Sequence, residues 1–333
     1  MPFDPFEPLP IGSTGVSVTR LGFGTAPIGG LYTAVTDAQG EAVSQHAWDI
    51  GVRYFDTAPM YGFGLAEERL GRVLRRQPRN TYALSSKVGR LIRPASGEAL
   101  LDTGGFMGTR DERPVWDFSR DGVQRSIEES LTRLGVDRLD IVFIHDPDVK
   151  DLWEPAIREA VPALVELREQ GVIGAIGAGM NQSAMLTRFV QEADMDVLLV
   201  AGRYTILDHE ALAELLPLCE TKGVSIVIGG IMNSGLLVDP KPGATFDYTA
   251  APAHILERAR RIRDVCERHD VSIRHAAIQF PLAHPAVVSV AAGVRSAAHL
   301  DDYLAAMHRE IPTGLWDDLR ADGLIPAHAP VPA

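Results

Sequence analysis

The sequence predicts an α/β fold, a (β/α)8 TIM barrel with an N-terminal β-hairpin and long loops at its C-terminal face, formed by residues 1–333 as a single domain. Three observations lead there. Eight short, β-branched and mostly apolar runs alternate with stretches of helical periodicity, the pattern of buried parallel strands joined by right-handed crossovers. No linker, shift of composition or internal repeat divides the chain. Its 333 residues suit one α/β barrel as well as two average domains. The competing architecture is an open, doubly wound sheet.

Residues 9–25 read as a hairpin, turning between Gly12 and Gly15 and feeding the first strand. Thr36 and Gln39 form a capping box for a helix that carries Val43, Ala47 and Ile50 on one face and stops at Gly51. A strand at 52–55, a helix at 64–76 and a strand at 81–86 follow. Residues 89–118, rich in Gly, Pro and Arg and without a period, mark a long excursion, and such loops tend to carry function. Asp121, with Gln124 in the reciprocal position, is expected to cap the next helix, which ends at Gly135. Strands at 139–144, 172–178, 197–200, 224–229 and 287–292 alternate with helices near 154–170, from Asn181, from Asp208 to Lys222, over 254–283 and over 296–309. A second long loop spans 230–251, and the tail is Pro-rich.

Composition narrows the function. With 46% apolar and 23% charged residues the chain has an ordinary globular balance. A net charge of −12 disfavours nucleic acid and anionic lipid as partners. Two cysteines, Cys219 and Cys266, cannot form a disulfide framework, so a reducing, cytoplasmic location is expected. The N-terminus, with acids and prolines, lacks the basic and apolar layout of a signal peptide, and no run is long enough to span a membrane. Nothing in the sequence specifies an oligomeric state.

In a barrel the chemistry sits at the carboxyl ends of the strands. There the sequence places Asp56 and Tyr61 after the second barrel strand, Lys87 after the third, and His145 after the fourth, followed by Asp146. Each alone reads more readily as a loop cap, a solvated strand end or a structural imidazole. Together they form proton-transfer equipment. An ammonium beside a phenol favours phenolate, so Lys87 is expected to lower the pKa of Tyr61, with Asp56 keeping Lys87 charged. His145 is placed to hydrogen-bond a substrate oxygen. Such a set handles the proton of a carbonyl or alcohol but not the accompanying hydride, which implies a cofactor. Gly22 and Gly24 follow a strand, but Pro27 occupies the third position of a dinucleotide fingerprint. A phosphate site in the last loops, 229–237 and 292–302, where Gly293, Arg295 and Ser296 begin a helix, is the better candidate. No spacing of histidines suggests a metal site.

Residues 51–62 (GVRYFDTAPMYG), 84–89 (LSSKVG) and 140–148 (DIVFIHDPD) resemble, in order and context, the catalytic segments of the aldo-keto reductase superfamily, over about residues 21–304. The resemblance implies NADH or NADPH bound in an extended form, with Tyr61 as general acid/base, Lys87 and Asp56 tuning it, and His145 positioning the carbonyl. Residues 116–148 are similar to the branch of aldose 1-dehydrogenases, L-fucose dehydrogenase and pyridoxal 4-dehydrogenase. That branch implies oxidation of an aldose at C1 to its lactone. Pyridoxal 4-dehydrogenation and general aldehyde or ketone reduction are the alternatives. Outside these stand a Schiff-base lyase using Lys87 and a non-catalytic cofactor-binding subunit.

Several positions depart from the family pattern. Met180-Asn181 replaces Ser-Asn, and Ala201 and Gly229 stand where a glutamine and a stacking aromatic are usual. Gly293 and His299 occupy positions where many NADPH-preferring members carry Lys and Arg. NAD is therefore the expected cofactor, with NADP possible, and a scarcity of cations around Arg295 supports that choice. Candidate cofactor contacts are Gly24, Thr25, Asn181, Tyr204, Gly229, Asn233, Gly235, Gly293, Arg295, His299 and Asp302. Asp302 reads equally as an adenine contact or a helix cap. Met60, Phe63, Trp116 and Phe118 are candidate walls for a sugar or aldehyde substrate, or else core residues.

Overall fold

A computed structural model of the chain describes residues 3–333. A short antiparallel hairpin, β1 (Pro8–Pro10) and β2 (Ser17–Thr19), precedes the first barrel strand, β3 (Leu21–Gly24). The barrel continues through β4 (Tyr54–Asp56), β5 (Ala83–Val88), β8 (Leu139–His145), β9 (Ile173–Met180), β10 (Val197–Ala201), β11 (Ser225–Gly229) and β14 (Val287–Gly293), which pairs with β3 to close it. All eight strands run parallel, so their carboxyl ends share one rim.

Two cores hold this frame. Tyr54, Ile141, Phe143, Val197, Leu199 and Val227 fill the barrel interior, joined by Ile11 and Val18 of the hairpin. The Gly12 amide donates to Ser225 Oγ at 2.9 Å, at the first residue of β11. The hairpin therefore stops the amino-terminal end, and only the opposite mouth is open to a ligand. The second core lies between strands and helices, where Leu70, Leu74, Ile127 and Leu134 show the expected helical spacing.

Helix α1 (Asp37–Asp49) begins with the Thr36/Gln39 capping box, and α2 (Leu65–Leu74) precedes β5. The 89–118 excursion is more ordered than its composition suggests. Its strands β6 (Arg90–Pro94) and β7 (Glu112–Trp116) form an antiparallel ribbon. Helix α3 (Arg120–Leu134) is capped by Ser119 rather than Asp121. Asp117 accepts the Ser119 hydroxyl at 2.5 Å, and Ser119 Oγ in turn accepts the Gly122 amide, so the helix starts two residues earlier.

Beyond β8, α4 (Trp153–Pro155) passes through a π turn (Ala156–Ala160) into α5 (Val161–Glu169). Helices α6 (Ser183–Glu192), α7 (Leu215–Lys222), α8 (Ala253–Arg268), α9 (Ile273–Leu282) and α10 (Ala297–His308) complete the expected alternation. The 230–251 loop carries a small hairpin, β12 (Thr245–Phe246) and β13 (Thr249–Ala250). One helix was not expected: α11 (Thr313–Ala321) in the Pro-rich tail. Leu315, Trp316 and Leu319 bury its inner face, with Trp316 6.3 Å from the Phe280 ring.

Candidate active site

The open mouth leads into a cleft of about 830 Å³, lined by residues from the ends of the barrel strands and from both long loops. Asp56 ends β4, while Lys87 lies within β5 rather than after it. Side chains alternate along a strand, so Ser85 and Lys87 point the same way, toward Asp56. Lys87 Nζ donates to Asp56 Oδ1 at 2.8 Å, to Oδ2 at 2.9 Å and to the Thr57 carbonyl at 2.9 Å. Ser85 Oγ donates to Asp56 Oδ1 at 2.7 Å. The ion pair is 1% and 4% exposed at its two side chains, where only a fully hydrogen-bonded pair is tolerated.

Tyr61 sits half-buried on the loop after β4. Its position depends on Gly62, whose φ of +64° lets the loop pack on the Pro27–Gly29 turn. A Cβ there would lie 2.2 Å from the Gly29 carbonyl oxygen. The Tyr61 ring stands edge-on to His145 with centroids 5.9 Å apart, and Lys87 Nζ is 4.9 Å from the same ring. Asp56, Tyr61, Lys87 and His145 thus converge on one corner of the cleft.

The electrostatics overturn one expectation. Burial pushes the Tyr61 phenol well above its ordinary value, and the Asp56 and Asp146 carboxylates push it further, with Arg90 pulling down. All three Lys87 protons already have acceptors, and the facing carboxylate balances its charge, so the ammonium does not yield a phenolate. In this form Tyr61 is a proton donor. Burial, then the Arg90 and Lys87 cations, hold the His145 imidazole well below its usual range, so the ring is neutral. Its Nδ1 is buried and without a hydrogen-bond partner.

Next to this corner the structure adds two groups. Arg90, 6% exposed, lies over the Trp116 ring at 4.1 Å and donates to Asp146 Oδ2 at 2.5 Å. Asp146 Oδ2 is in turn 3.5 Å from His145 Nε2. Asp146 is visible in the sequence as the residue after His145, but its partner Arg90 emerges only when the ribbon folds back over the mouth.

Gly24, Thr25, Asn181, Gly229, Asn233, Gly235, Gly293, Arg295, His299 and Asp302 all line the cleft, and so does Met60. Tyr204 does not. It is fully buried against Phe280 and His284, at 5.4 and 5.6 Å between ring centres. Phe63 and Phe118 are also core residues, 1% and 3% exposed, and Trp116 serves as the platform under Arg90. Besides Tyr61, the cleft is lined by Phe106, from the 89–118 excursion, and by Tyr32, Tyr248 and Tyr303, none of which the sequence singled out. Phe106 stands 6.2 Å from the Tyr61 ring.

The rest of the cleft fits an extended dinucleotide. Thr25 Oγ1 is buried, unpartnered and on the cleft wall. Asn181 Nδ2 donates to the Ala201 carbonyl at 2.9 Å, which fixes the orientation of its amide. At Gly229 a Cβ would come within 3.1 Å of Leu199 Cδ2, so the floor there is bare. Ser296 caps α10 by accepting the His299 amide, and this helix start faces the cleft through Gly293 and Arg295, a geometry suited to an anion. Cations are less scarce than the sequence suggested, because Arg274 and Lys241 also reach the walls. Both are paired, however: Arg274 with Asp302 at 2.8 Å and Lys241 with Asp239 at 2.7 Å. Among the described residues no group of three or more His, Cys, Asp or Glu could hold a metal ion, and no helix is long and apolar enough to cross a membrane.

Comparison with known proteins agrees with this geometry. The model of the aldo/keto reductase family matches residues 20–321. D-threo-aldose 1-dehydrogenase of a Pseudomonas species is 43% identical, over 94% of this chain and 97% of the relative. Pyridoxal 4-dehydrogenase of Microbacterium luteolum is 41% identical, over 95% and 97%. Among solved structures, the holo form of an aldo-keto reductase from Bacillus halodurans superposes with a TM-score of 0.76 at 24% identity, covering 97% of this chain and 98% of that one. This last likeness speaks to the fold, and the first three to descent. The chain belongs to the aldo/keto reductase family and is an oxidoreductase that works with a nicotinamide cofactor.

Proposed function

We propose that the protein oxidises an aldose at C1 to its lactone, with Tyr61 moving the proton and NAD preferred over NADP. The observation that carries this reading is the convergence of Tyr61, His145 and the saturated Asp56–Lys87 pair on one corner of the cleft. The 43% identity to an aldose 1-dehydrogenase supports the substrate class.

The cofactor, when bound, supplies an oxidised nicotinamide ring that accepts hydride. Neutral His145 holds the substrate O1, and the O1 proton passes to Tyr61 in its deprotonated form, which alkaline pH populates, as C1 gives up its hydride and the C1–O1 bond becomes a carbonyl. Because burial raises the phenol, Tyr61 serves readily as the acid in the reverse reduction, while oxidation is favoured at alkaline pH. Asp56 holds the Lys87 ammonium under the ring as a fixed support. Asn181 is placed to orient the carboxamide, and Gly24, Thr25, Gly229, Asn233 and Gly235 border the path of the dinucleotide. NAD is favoured because Arg274 and Lys241 are committed to carboxylates, which leaves Arg295 to meet a 2′-phosphate. The 41% identity to pyridoxal 4-dehydrogenase supports a second reading, in which the substrate is an aromatic aldehyde in its cyclic hemiacetal form.

A substrate panel followed at 340 nm separates these. Aldoses such as L-fucose, D-arabinose and L-galactose should be oxidised with NAD more efficiently than with NADP, and faster than pyridoxal. Turnover of pyridoxal alone would favour the second reading, and a response to simple aldehydes only would reject both.

A further inference from the structure

We infer that Arg90 and Asp146 form a substrate subsite that reads the hydroxyl on the carbon next to the reacting one, so that the cleft selects polyhydroxylated substrates. This deepens the aldose reading above and rests on it.

The inference starts from how the pair is held. Asp146 follows the last residue of β8 and has a left-handed backbone, with φ +43° and ψ +51°, a conformation only short polar residues and glycine adopt without strain. Gly179 fixes it by accepting the Asp146 amide at 3.1 Å. Among the described residues only Oδ2 of the carboxylate is engaged, by Arg90 at 2.5 Å and near His145 at 3.5 Å. The residue lines the cleft with its side chain 20% exposed. Arg90 also lines the cleft, its guanidinium lies over the Trp116 ring, and its Nε is buried without a hydrogen-bond partner among the described residues.

An acceptor and a fan of donors therefore stand side by side, rigid and largely buried. A hydroxyl meets both needs: it donates to the carboxylate and accepts from the guanidinium, and a saturated carbon chain meets neither. The location fixes which hydroxyl. Asp146 approaches the His145 imidazole to 3.5 Å, so a group held there lies one carbon from the oxygen that His145 positions. Such buried polar pairs discriminate strongly, because an analogue without the hydroxyl leaves them unpaired.

A role in structure alone, or in orienting His145, would affect every substrate alike. The test is therefore a cycle of enzyme against substrate: kcat/KM of wild type and Asp146→Asn for an aldose and for the same sugar lacking the C2 hydroxyl, with one nucleotide. Asparagine tolerates the left-handed backbone, and thermal melting with nucleotide titration checks that the fold survives. Wild type should prefer the hydroxylated sugar by about 10- to 100-fold, the range for a hydrogen bond to a charged group. Asp146→Asn should lose at least about tenfold more on that sugar than on its deoxy analogue. Arg90→Lys, which keeps the charge but not the fork, should show the same asymmetry. Equal losses on both sugars in both variants would overturn the subsite and leave the dehydrogenase reading standing. A wild type that oxidises no aldose at all would overturn both.

Discussion

At the corner formed by β4, β5 and β8, the charged groups are held by other side chains: Lys87 by Asp56, Asp56 by Ser85, Asp146 by Arg90. Across the cleft, where β9, β10, β11 and β14 end, the strand termini carry Met180, Ala201, Gly229 and Gly293, and polar character comes from backbone groups, a helix start, the Asn181 and Asn233 amides and ions already paired with each other, such as Arg274 with Asp302. The first region is a fixed charge network that can act on a proton. The second is a channel of small residues and backbone suited to a long ligand that brings its own chemistry. Damage to the first should therefore remove turnover, and damage to the second should show in nucleotide affinity.

The largest effect is expected where a buried charge loses its partner. Lys87→Met leaves the Asp56 carboxylate, 4% exposed, without a counter-ion. A destabilisation of about 3–5 kcal/mol should follow, measured by denaturant unfolding, together with loss of turnover. Replacing both partners, as Lys87→Met with Asp56→Asn, should recover most of the stability and none of the activity. Recovery of activity in the double variant would show that the corner is scaffold rather than machinery. Asn181→Ala should act more gently and on the other side of the comparison. Removing an oriented amide should weaken nucleotide binding about tenfold, read by calorimetry, with the substrate preference unchanged. An unaltered nucleotide affinity would break the assignment of that half.

The two regions also differ in how well the sequence announces them. Asp56, Lys87 and His145 stand at the ends of apolar runs, and the rule that barrel chemistry gathers at strand ends locates them without coordinates. The proton chemistry at Tyr61 was less legible. Its environment depends on the Thr57 carbonyl taking the third Lys87 proton and on two carboxylates facing the ring, none of which spacing reveals. Aromatic residues misled for a related reason. Tyr204, Phe63 and Phe118 lie close in sequence to the site, yet their rings turn into the core, and composition does not say which way a ring points. Arg90 required the ribbon of β6 and β7, hidden in a segment without periodicity, because its strands are short and interrupted by prolines. The helix α11 escaped notice for the same reason, as prolines frame its apolar spacing.

The central claim is that Tyr61 transfers the proton while taking no part in holding the nucleotide. Tyr61→Phe isolates that claim, since it removes one oxygen and keeps the ring beside Lys87 and His145. Nucleotide affinity and the rate of aldose oxidation should be measured across pH for wild type and variant. Nucleotide affinity should stay within about twofold of wild type while turnover falls about 10²- to 10⁴-fold, the span of general acid–base catalysis. Because the phenol is raised, the wild-type oxidation rate should still be climbing as pH approaches 10, and the residual rate of the variant should lack that rise. A Tyr61→Phe enzyme that kept most of its activity, with the same alkaline rise, would show that the proton leaves by another group.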